Sequence, residues 1–336
     1  MPVTIRELSK HLGLSMSTVS KALNGYPDVS PATREAVNRA ARELGYWPNA
    51  HARALKTGQS YNIGVLFVDD SNSGLTHPFF SGVLEAFKKE AEAKGYDITF
   101  ISHDIGDGRG TYLEHCLWRD VDGVCIAAVD FDDPQIGELT GSDLPLVTID
   151  SPCRQRTCVQ SDNLGGMSAL VEYAIACGHR RLAFIHGPAS ATTNSRRLAF
   201  EKQAARYGLA PDAVVERQCL YNEPDSLEEV FRSLLNEPEP PTCVLCSDDM
   251  AAMGAYRAAA ELGLSIPGDI SIAGFDGVSY LQWMTPRLTT VRQRSGEIGA
   301  TAARLLLQEI GGQPPAPQPV CIPCELIRGE TMARIG

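Results

Sequence analysis

From about residue 61 the sequence alternates short apolar runs with longer amphipathic ones, and this alternation restricts the fold more than any other feature. Runs such as NIGVLFVD, VDGVCIAAV and TCVLCSD are almost continuously apolar, which predicts strands that are buried on both faces. FFSGVLEAFKKEAEAKG and DMAAMGAYRAAAELG have helical periodicity. The alternation predicts parallel sheets with helices on both faces, and about 270 residues of this pattern predict two lobes.

Polar and aromatic residues follow these apolar runs to an unusual degree, as in DDSNSGLTHPFF, HGPASATTNSR and LYNEPD. Ligands of such folds bind at the carboxyl ends of the strands, so we expect these residues to converge on a ligand site. Carboxylates such as Asp150 and Asp276, together with Arg196 and aromatic rings, suit a polyhydroxylated ligand. Each acid alone could instead be a helix cap or a turn residue, and we expect Asp249 to cap the helix that starts at DMAAMG.

The first 48 residues have a different pattern, with signals for three short helices. Thr4 and Glu7 in TIRELSKH form a predicted capping box. Gly13 ends this helix, Ser15 caps MSTVSKAL, and Ser30 caps ATREAVNRAARELGY. Two helices joined by a tight turn and braced by a third predict a helix-turn-helix.

The second of these helices presents Met16, Ser17, Ser20 and Lys21 away from its apolar face. Small polar side chains would let such a helix enter a DNA major groove and reach base edges. A three-helix fragment with a solvated polar face would give the same pattern, so these residues alone leave DNA binding open.

The charge distribution along the chain and the segment after the third helix favour DNA binding. Residues 1–60 hold eight Lys/Arg and four Asp/Glu, whereas the whole chain has a net charge of -11, although chance could also produce this modest asymmetry. The segment NAHARALK is basic, too short to be a stable isolated helix, and carries Leu55 as an apolar tip. Such a segment could order on contact and wedge a minor groove, or it could be a plain linker.

TIRELSKHLGLSMSTVSKALNG and VSPATREAVNRAARELGYWPNAHARAL resemble the lactose/galactose repressor (LacI/GalR) family of bacterial transcription regulators, and the likeness runs from Thr4 to about Thr331. The resemblance implies that Met16, Ser17 and Lys21 read bases and that Leu55 is the hinge leucine inserted at the central operator step. The positions that it implies for phosphate contacts or for the turn are Thr4, Ser15, Thr18, Ser20, Asn24, Ser30, Thr33 and Asn49.

SDNLGG, GHRRLAFIHG, PGDISIAGFD and PRLTTVRQ match further blocks of the family. They imply an N-terminal all-α helix-turn-helix domain followed by an α/β two-lobed periplasmic-binding-protein-like domain. The implied segments are a DNA-binding domain at 1–48, a hinge helix and linker at 49–60, and an effector-binding and dimerisation domain at 61–332, with an N-lobe of 61–160 and 292–320 and a C-lobe of 161–290 and 321–332.

The implied effector-binding residues are His77, Phe80, Asp150, Arg196, Tyr221, Asp248, Asp276 and Gln293. Asp248 stands where the family commonly has Asn, Ser151 where it often has a basic residue, and Ala199 where it often has Gly. These departures bear on which ligand binds. Because an acid-rich lining disfavours anions, we expect a small neutral sugar rather than a phosphosugar.

The sequence therefore predicts a cytoplasmic repressor of carbohydrate-utilisation genes that binds a palindromic operator as a homodimer. No leucine heptad follows the last strand, which favours a dimer over a tetramer. The alternatives are a regulator that responds to a purine or another metabolite, and a sugar-binding transport component. An enzyme is not expected, because no motif sets two carboxylates or a nucleophile at a catalytic spacing.

Ten cysteines include two Cys-x-x-Cys pairs, Cys243/Cys246 and Cys321/Cys324. A zinc site with four thiolates is conceivable. Both pairs lie in strand-like runs, where positions three apart face opposite ways, so we expect small buried apolar side chains rather than metal ligands. We expect no cofactor and no membrane contact.

Overall fold

The chain falls into two compact units, Met1–Tyr61 and Asn62–Gly336, called the head and the body below. The computed structural model describes residues 3–47, 58–68, 74–105, 108–153, 155–219 and 224–335. The predictions made for Asn49, Leu55 and Tyr221, and for most of the 49–60 hinge, lie outside the described residues.

The described part of the head contains three helices, α1 (Ile5–Leu12), α2 (Met16–Leu23) and α3 (Pro31–Leu44). The predicted capping box is confirmed, because the Thr4 side chain accepts from the backbone of Glu7 and the Glu7 carboxylate accepts from the backbone of Thr4. Gly13 ends α1 with a φ of 62°, a conformation that favours glycine. One apolar face of each helix builds a small core that includes Leu8, Val19, Ala22, Val37 and Ala40.

The body contains two six-stranded sheets, here the first and second sheets, and a small hairpin of β3 (Asp104–Ile105) and β4 (Gly108–Arg109). The first sheet has the order β13-β7-β6-β5-β1-β2, with β1 (Asn62–Phe67), β2 (Asp97–Ile101), β5 (Gly123–Ala127), β6 (Leu146–Ile149), β7 (Thr157–Ser161) and β13 (Val320–Ile322). The second sheet has the order β14-β12-β11-β10-β8-β9, with β8 (Leu182–His186), β9 (Val214–Gln218), β10 (Cys243–Cys246), β11 (Ser271–Asp276), β12 (Thr289–Arg292) and β14 (Glu325–Ile327).

The strands of both sheets run parallel, except that β14 pairs antiparallel with β12. Every residue of β5, β8, β10 and β11 is buried, which confirms the prediction that the apolar runs are strands covered on both faces. The body helices are α4 (Pro78–Glu92), α5 (Tyr112–Trp118), α6 (Pro134–Thr140), α7 (Asn163–Ala176), α8 (Ala191–Arg206), α9 (Pro224–Leu235), α10 (Asp249–Glu261) and α11 (Ser295–Ile310).

The chain passes between the sheets after β7, after β12 and after β13. Ser161 and Ile322 lie on the first sheet and Arg292 lies on the second, so these crossings differ by a few residues from the lobe limits expected from the sequence. The first crossing is fixed by the backbone, since Asp162 N donates to Ile322 O at 2.8 Å. These crossings bring the ends of both sheets into one region.

Helix α4 packs its apolar face within the chain, against α11. Phe79, Val83 and Phe87 on α4 are buried, and Gly299 on α11 lies against the Val83 carbonyl, where an added Cβ would be 2.0 Å from the oxygen. The apolar side of α4 therefore belongs to the core of the body.

Cys243 and Cys246 are buried as expected, whereas Cys321 is exposed and Cys324 is half-buried, so the expectation of burial is wrong for Cys321. Cys243 packs with Phe184 and Phe275 on one side of the second sheet, whereas Cys246 packs with Ile185 on the other side. Burial raises the pKa of the Cys243 thiol well above its usual range, which keeps it protonated. Within the described ranges, no helix combines the length and the apolar character needed to span a membrane.

Candidate functional site

Two acidic residues stand where strands of different sheets end, Asp150 after β6 and Asp276 at the end of β11. Both have a positive φ, 57° for Asp150 and 114° for Asp276, in a region that residues with a Cβ seldom occupy. Such conformations cost roughly 1–3 kcal/mol each and persist where the surrounding structure imposes them, often at functional sites. Each sheet thus has, at the end of one strand, a carboxyl group on a residue with an unusual backbone conformation.

A hydrogen-bonded chain joins these two carboxyl groups. Ser161 N donates to Asp150 Oδ1 at 3.0 Å, and the Ser161 hydroxyl donates to Gln293 Oε1. Gln293 Nε2 then donates to Asp276 Oδ1 at 2.6 Å. Ser161 and Gln293 lie at crossings between the sheets, so the chain of bonds connects the two lobes through buried side chains.

Arg196 on α8 completes the site and is 5% exposed. Its guanidinium lies over the Phe275 ring at 3.7 Å from the centroid, a cation–π contact, and its Nε donates to Asn163 Oδ1 at 2.9 Å. A further bond from Nη1 to the Ser247 carbonyl fixes the plane of the guanidinium. The cation is therefore held rigidly beside the two acids.

Burial controls the protonation of both acids. Loss of hydration raises the pKa of Asp150 to about 6, against the smaller lowering effects of the Ser161 N–H and the charge of Arg196. Burial also raises the pKa of Asp276 well above its usual range, and the nearby Asp248 and Asp249 raise it further. A site with this many desolvated acids disfavours an anionic ligand and favours neutral groups that donate hydrogen bonds.

The neighbouring acids Asp248 and Asp249 differ in role from what the sequence suggested for the helix cap. Asp248 caps α10, since its Oδ1 accepts from Ala251 N at 2.7 Å, and we expected Asp249 to be the cap. That expectation is wrong, because Asp249 is fully buried and accepts from Val278 N and from the Thr290 hydroxyl. Asp249 thereby ties the turn after Asp276 to β12.

Aromatic side chains stand on the first sheet's side of the body. The Phe80 ring lies 5.4 Å from Phe67 and 5.2 Å from His77 between ring centroids, in edge-to-face arrangements. His77 and Phe80 lie at the start of α4, which follows β1. The structure therefore places them near the carboxyl end of that sheet, while Tyr221 lies outside the described residues.

In the head, three hydroxyl-bearing residues of the predicted DNA surface act as helix caps. Ser15 Oγ accepts from Thr18 N at 3.0 Å, and Ser30 Oγ accepts from Thr33 N at 3.1 Å. Thr4 caps α1 as described above. Helix N-termini favour anions such as phosphate oxygens, because their N–H groups and the helix dipole point toward the anion.

The predicted base-reading residues Met16, Ser17 and Lys21 all lie on α2. Met16 is 52% exposed and Ser17 is also exposed. Asn24 Nδ2 donates to the Ser20 carbonyl at 2.7 Å and so closes the C-terminal turn of α2. Lys21 forms an ion pair with Asp28 at 2.5 Å.

Two family models match this chain. Residues 4–49 match the bacterial regulatory proteins of the lacI family, and residues 171–332 match the periplasmic binding protein-like domain. The HTH-type transcriptional repressor PurR of Proteus mirabilis (strain HI4320) is 34% identical over 316 residues, which cover 91% of this chain and 90% of that relative. The chain belongs to the LacI family.

Other similar proteins cover nearly the whole of this LacI-family chain. PurR of Yersinia enterocolitica is 33% identical and covers 98% of this chain and 97% of that relative. The crystal structure of the lac repressor dimer bound to operator and the anti-inducer ONPF has a TM-score of 0.85 at 28% identity, covering 99% and 100% of the two chains. The complex of the regulator CelR with cellobiose has a TM-score of 0.69 at 26% identity, covering 98% and 99%.

As a LacI-family member, the protein is a DNA-binding transcriptional repressor with a helix-turn-helix head and a two-lobed α/β body. Sequence reasoning placed Asp150, Arg196, Asp276 and Gln293 in one site, and the structure brings these four together. Sequence reasoning missed the residues that connect and orient these four side chains. These are Ser161, Asn163, Ser247 and Phe275.

Two of the missed residues stand in the block SDNLGG, whose match to a block of the family was the available signal. Among the described parts of the chain, no group of three or more His, Cys, Asp or Glu side chains is arranged to hold a metal ion.

Proposed function

We propose that this repressor acts as a cytoplasmic homodimer on a palindromic operator and is controlled by a neutral effector bound between the lobes. The observation that carries the proposal is the bonded chain from Asp150 through Gln293 to Asp276, with Arg196 fixed beside it. An effector that contacts carboxyl groups of both sheets binds one arrangement of the lobes better than another. Differential affinity of this kind is what shifts a conformational equilibrium.

The effector that we favour is a purine base. A base offers N–H donors to the two acids, acceptor atoms to Arg196, and a flat ring to the Phe80 and Phe67 side chains. The similarity over nearly the whole chain to transcriptional repressors named PurR supports this choice over the carbohydrate expected from the sequence.

A neutral sugar is the second candidate, because the similar regulator CelR was solved with cellobiose. Sugar hydroxyls can donate to Asp150 and Asp276 and accept from Arg196, and ring C–H groups can cover an aromatic face. Both candidates are uncharged, as the buried acids require.

Calorimetric titration of the full chain with guanine, hypoxanthine, adenine, ribose, cellobiose and glucose 6-phosphate separates the candidates. We expect a purine base to bind, and to stabilise the protein by about 2.7 kcal/mol at a hundred times its dissociation constant. Asp276→Asn should abolish binding, whereas exposed Asp143→Asn should not. Binding of a sugar alone would select the second candidate, and binding of the phosphosugar in preference to neutral compounds would contradict the proposal.

The proposed DNA surface consists of residues on α2, the helix starts of the head, and Leu55. A duplex selected by the full-length protein from a random pool should be palindromic. Removal of residues 1–58 should abolish its binding, and Leu55→Ala should weaken it by at least tenfold, since a wedge stabilises the bent operator. Leu198→Ala, an exposed leucine of the body, is the matched control and should bind as the wild type does. Equal binding by Leu55→Ala would contradict the hinge assignment.

A further inference from the structure

Lys21, on the helix α2 that we propose reads DNA, already forms an ion pair with a carboxylate of the head. Lys21 Nζ lies 2.5 Å from Asp28 Oδ2, and the two side chains are 44% and 51% exposed. Asp28 belongs to the turn between α2 and α3 rather than to the helix itself. The ion pair therefore lies on the surface at the C-terminal end of α2.

Backbone and side-chain bonds hold the turn that carries Asp28. Tyr26 N donates to Lys21 O at 3.0 Å, and Val29 N donates to Tyr26 O at 3.3 Å. Arg34 on α3 also donates to Tyr26 O, at 2.8 Å, and the side chain of Val29 is buried in the head core. The position of Asp28 is thus fixed by the fold, whereas Lys21 reaches it with a flexible four-carbon stem.

The pair stays ionised at neutral pH. The hydrogen bond and charge of Asp28 raise the pKa of Lys21, and Lys21 in turn lowers the pKa of Asp28. An ammonium paired with a carboxylate presents no net charge to a phosphate, and the carboxylate itself repels phosphates. DNA must therefore compete with Asp28 for Lys21.

We propose that Asp28 is a positioning residue that sets the DNA affinity of the head by holding Lys21 in the DNA-free protein. Operator binding then transfers Lys21 from Asp28 to the DNA. Loss of the ion pair with Asp28 reduces the net free energy gained on DNA binding. The inference rests on the proposed role of α2 in DNA recognition. Asp28 is not among the expected DNA contacts, but it would control how much the Lys21 contact contributes to DNA affinity.

Asp28→Asn keeps the size of the side chain and removes its charge. In a dimer with two heads, we expect it to tighten DNA binding by roughly three- to tenfold, since exposed ion pairs are weak individually. The slope of log K against log salt concentration should steepen, because one more cation per head becomes available to phosphates. The gain should appear with both operator and unrelated DNA if Lys21 gives its charge mainly to the backbone.

The test is a double-mutant cycle with the full chain, using the duplex selected by the wild type and a scrambled duplex of equal length. The variants are Asp28→Asn, Lys21→Ala, their combination, and Glu43→Gln as a control that removes an exposed acid elsewhere in the head. Hydrogen exchange of residues 16–23 shows whether each head remains folded. We expect Asp28→Asn to tighten binding more than Glu43→Gln does, and to lose this advantage in the Lys21→Ala background.

Two results would overturn the inference while leaving DNA recognition intact. In the first, Asp28→Asn changes affinity no more than Glu43→Gln does. In the second, its gain persists when Lys21 is absent, which would show a general charge effect. Failure of the wild type to select or bind any duplex is a different outcome, because it would overturn the proposed function and this inference together.

Discussion

Gln293 joins Ser161 of the first sheet to Asp276 of the second, accepting from the serine hydroxyl and donating to the carboxylate at 2.6 Å. Its own backbone N–H donates to Asp276 O at 3.0 Å. One amide side chain, 6% exposed, therefore connects the two lobes at the candidate effector site. An amide suits this position because it accepts at one end and donates at the other.

Replacing Gln293 by alanine should weaken effector binding and also lower the free energy of unfolding of the body. The change leaves buried polar atoms of Ser161 and Asp276 without this partner, at an expected cost of about 1–3 kcal/mol. Denaturation of the body and calorimetry with the identified effector measure the two effects. Gln308→Ala on the exposed side of α11 is the control and should leave both unchanged. Unaltered stability and affinity in Gln293→Ala would show that the bridge has no energetic role.

Asp249→Asn should change how stability depends on pH. Burial raises the pKa of Asp249 to about 7 from a usual value of 3.8, against opposing hydrogen bonds from Thr290 and Val278. Between about pH 4 and pH 7 the folded state keeps a proton that the unfolded state has released, so this residue's contribution to stability falls as the pH rises.

Denaturant titrations of both proteins at pH 5, 6 and 7 measure the effect. Relative to Asp249→Asn, the wild type should lose up to about 1.4 kcal/mol per pH unit in this window. The asparagine variant can be less stable at every pH, because the readout is the difference in slope. Asp143→Asn, at an exposed site, should keep the wild-type slope. Parallel profiles for the wild type and Asp249→Asn would contradict the raised pKa.

Gly299→Ala should destabilise the packing of α4 on α11. Its Cβ would lie 2.0 Å from the Val83 carbonyl oxygen and 2.9 Å from Phe87 N, and both of these are backbone atoms that cannot move alone. Separating the helices should cost at least about 2 kcal/mol, as overpacking of a core does. Gly296→Ala on the same helix meets nothing within 4 Å and should be neutral or stabilising by up to about 1 kcal/mol. Thermal denaturation compares the pair, and similar melting temperatures would refute the close approach.

Ser15→Ala should loosen α2 in the head. The Ser15 hydroxyl caps the helix by accepting from Thr18 N, and loss of such a cap costs about 0.5–2 kcal/mol. Because the chain has two units, local hydrogen exchange of residues 16–23 is a better measure than a global melt. Ser17→Ala, exposed on the same helix, should leave the protection of these amides unchanged or slightly higher. Equal protection in both variants would argue against the cap.

Local signals in the sequence were sufficient for much of the fold. The cap residues Thr4, Ser15 and Ser30 start helices where they were expected, because capping depends only on neighbouring backbone groups. Fully buried strands such as β5 and β10 follow from apolar runs, since a strand covered on both faces needs no polar residues. The ends of these strands then indicated where a ligand site could form.

The sequence by itself determined the helix starts of the head, the buried strands and the family, because each depends on local bonding or on a long run of matching residues. Only the tertiary structure decided which acid caps α10, that α4 packs inside the chain, and that Gln293 bridges the lobes. These choices depend on contacts between residues far apart in the sequence, such as Ser161 with Gln293 and Asp249 with Thr290. Periodicity reports that a side chain is buried or polar, whereas its partner is fixed by the packing of the whole body.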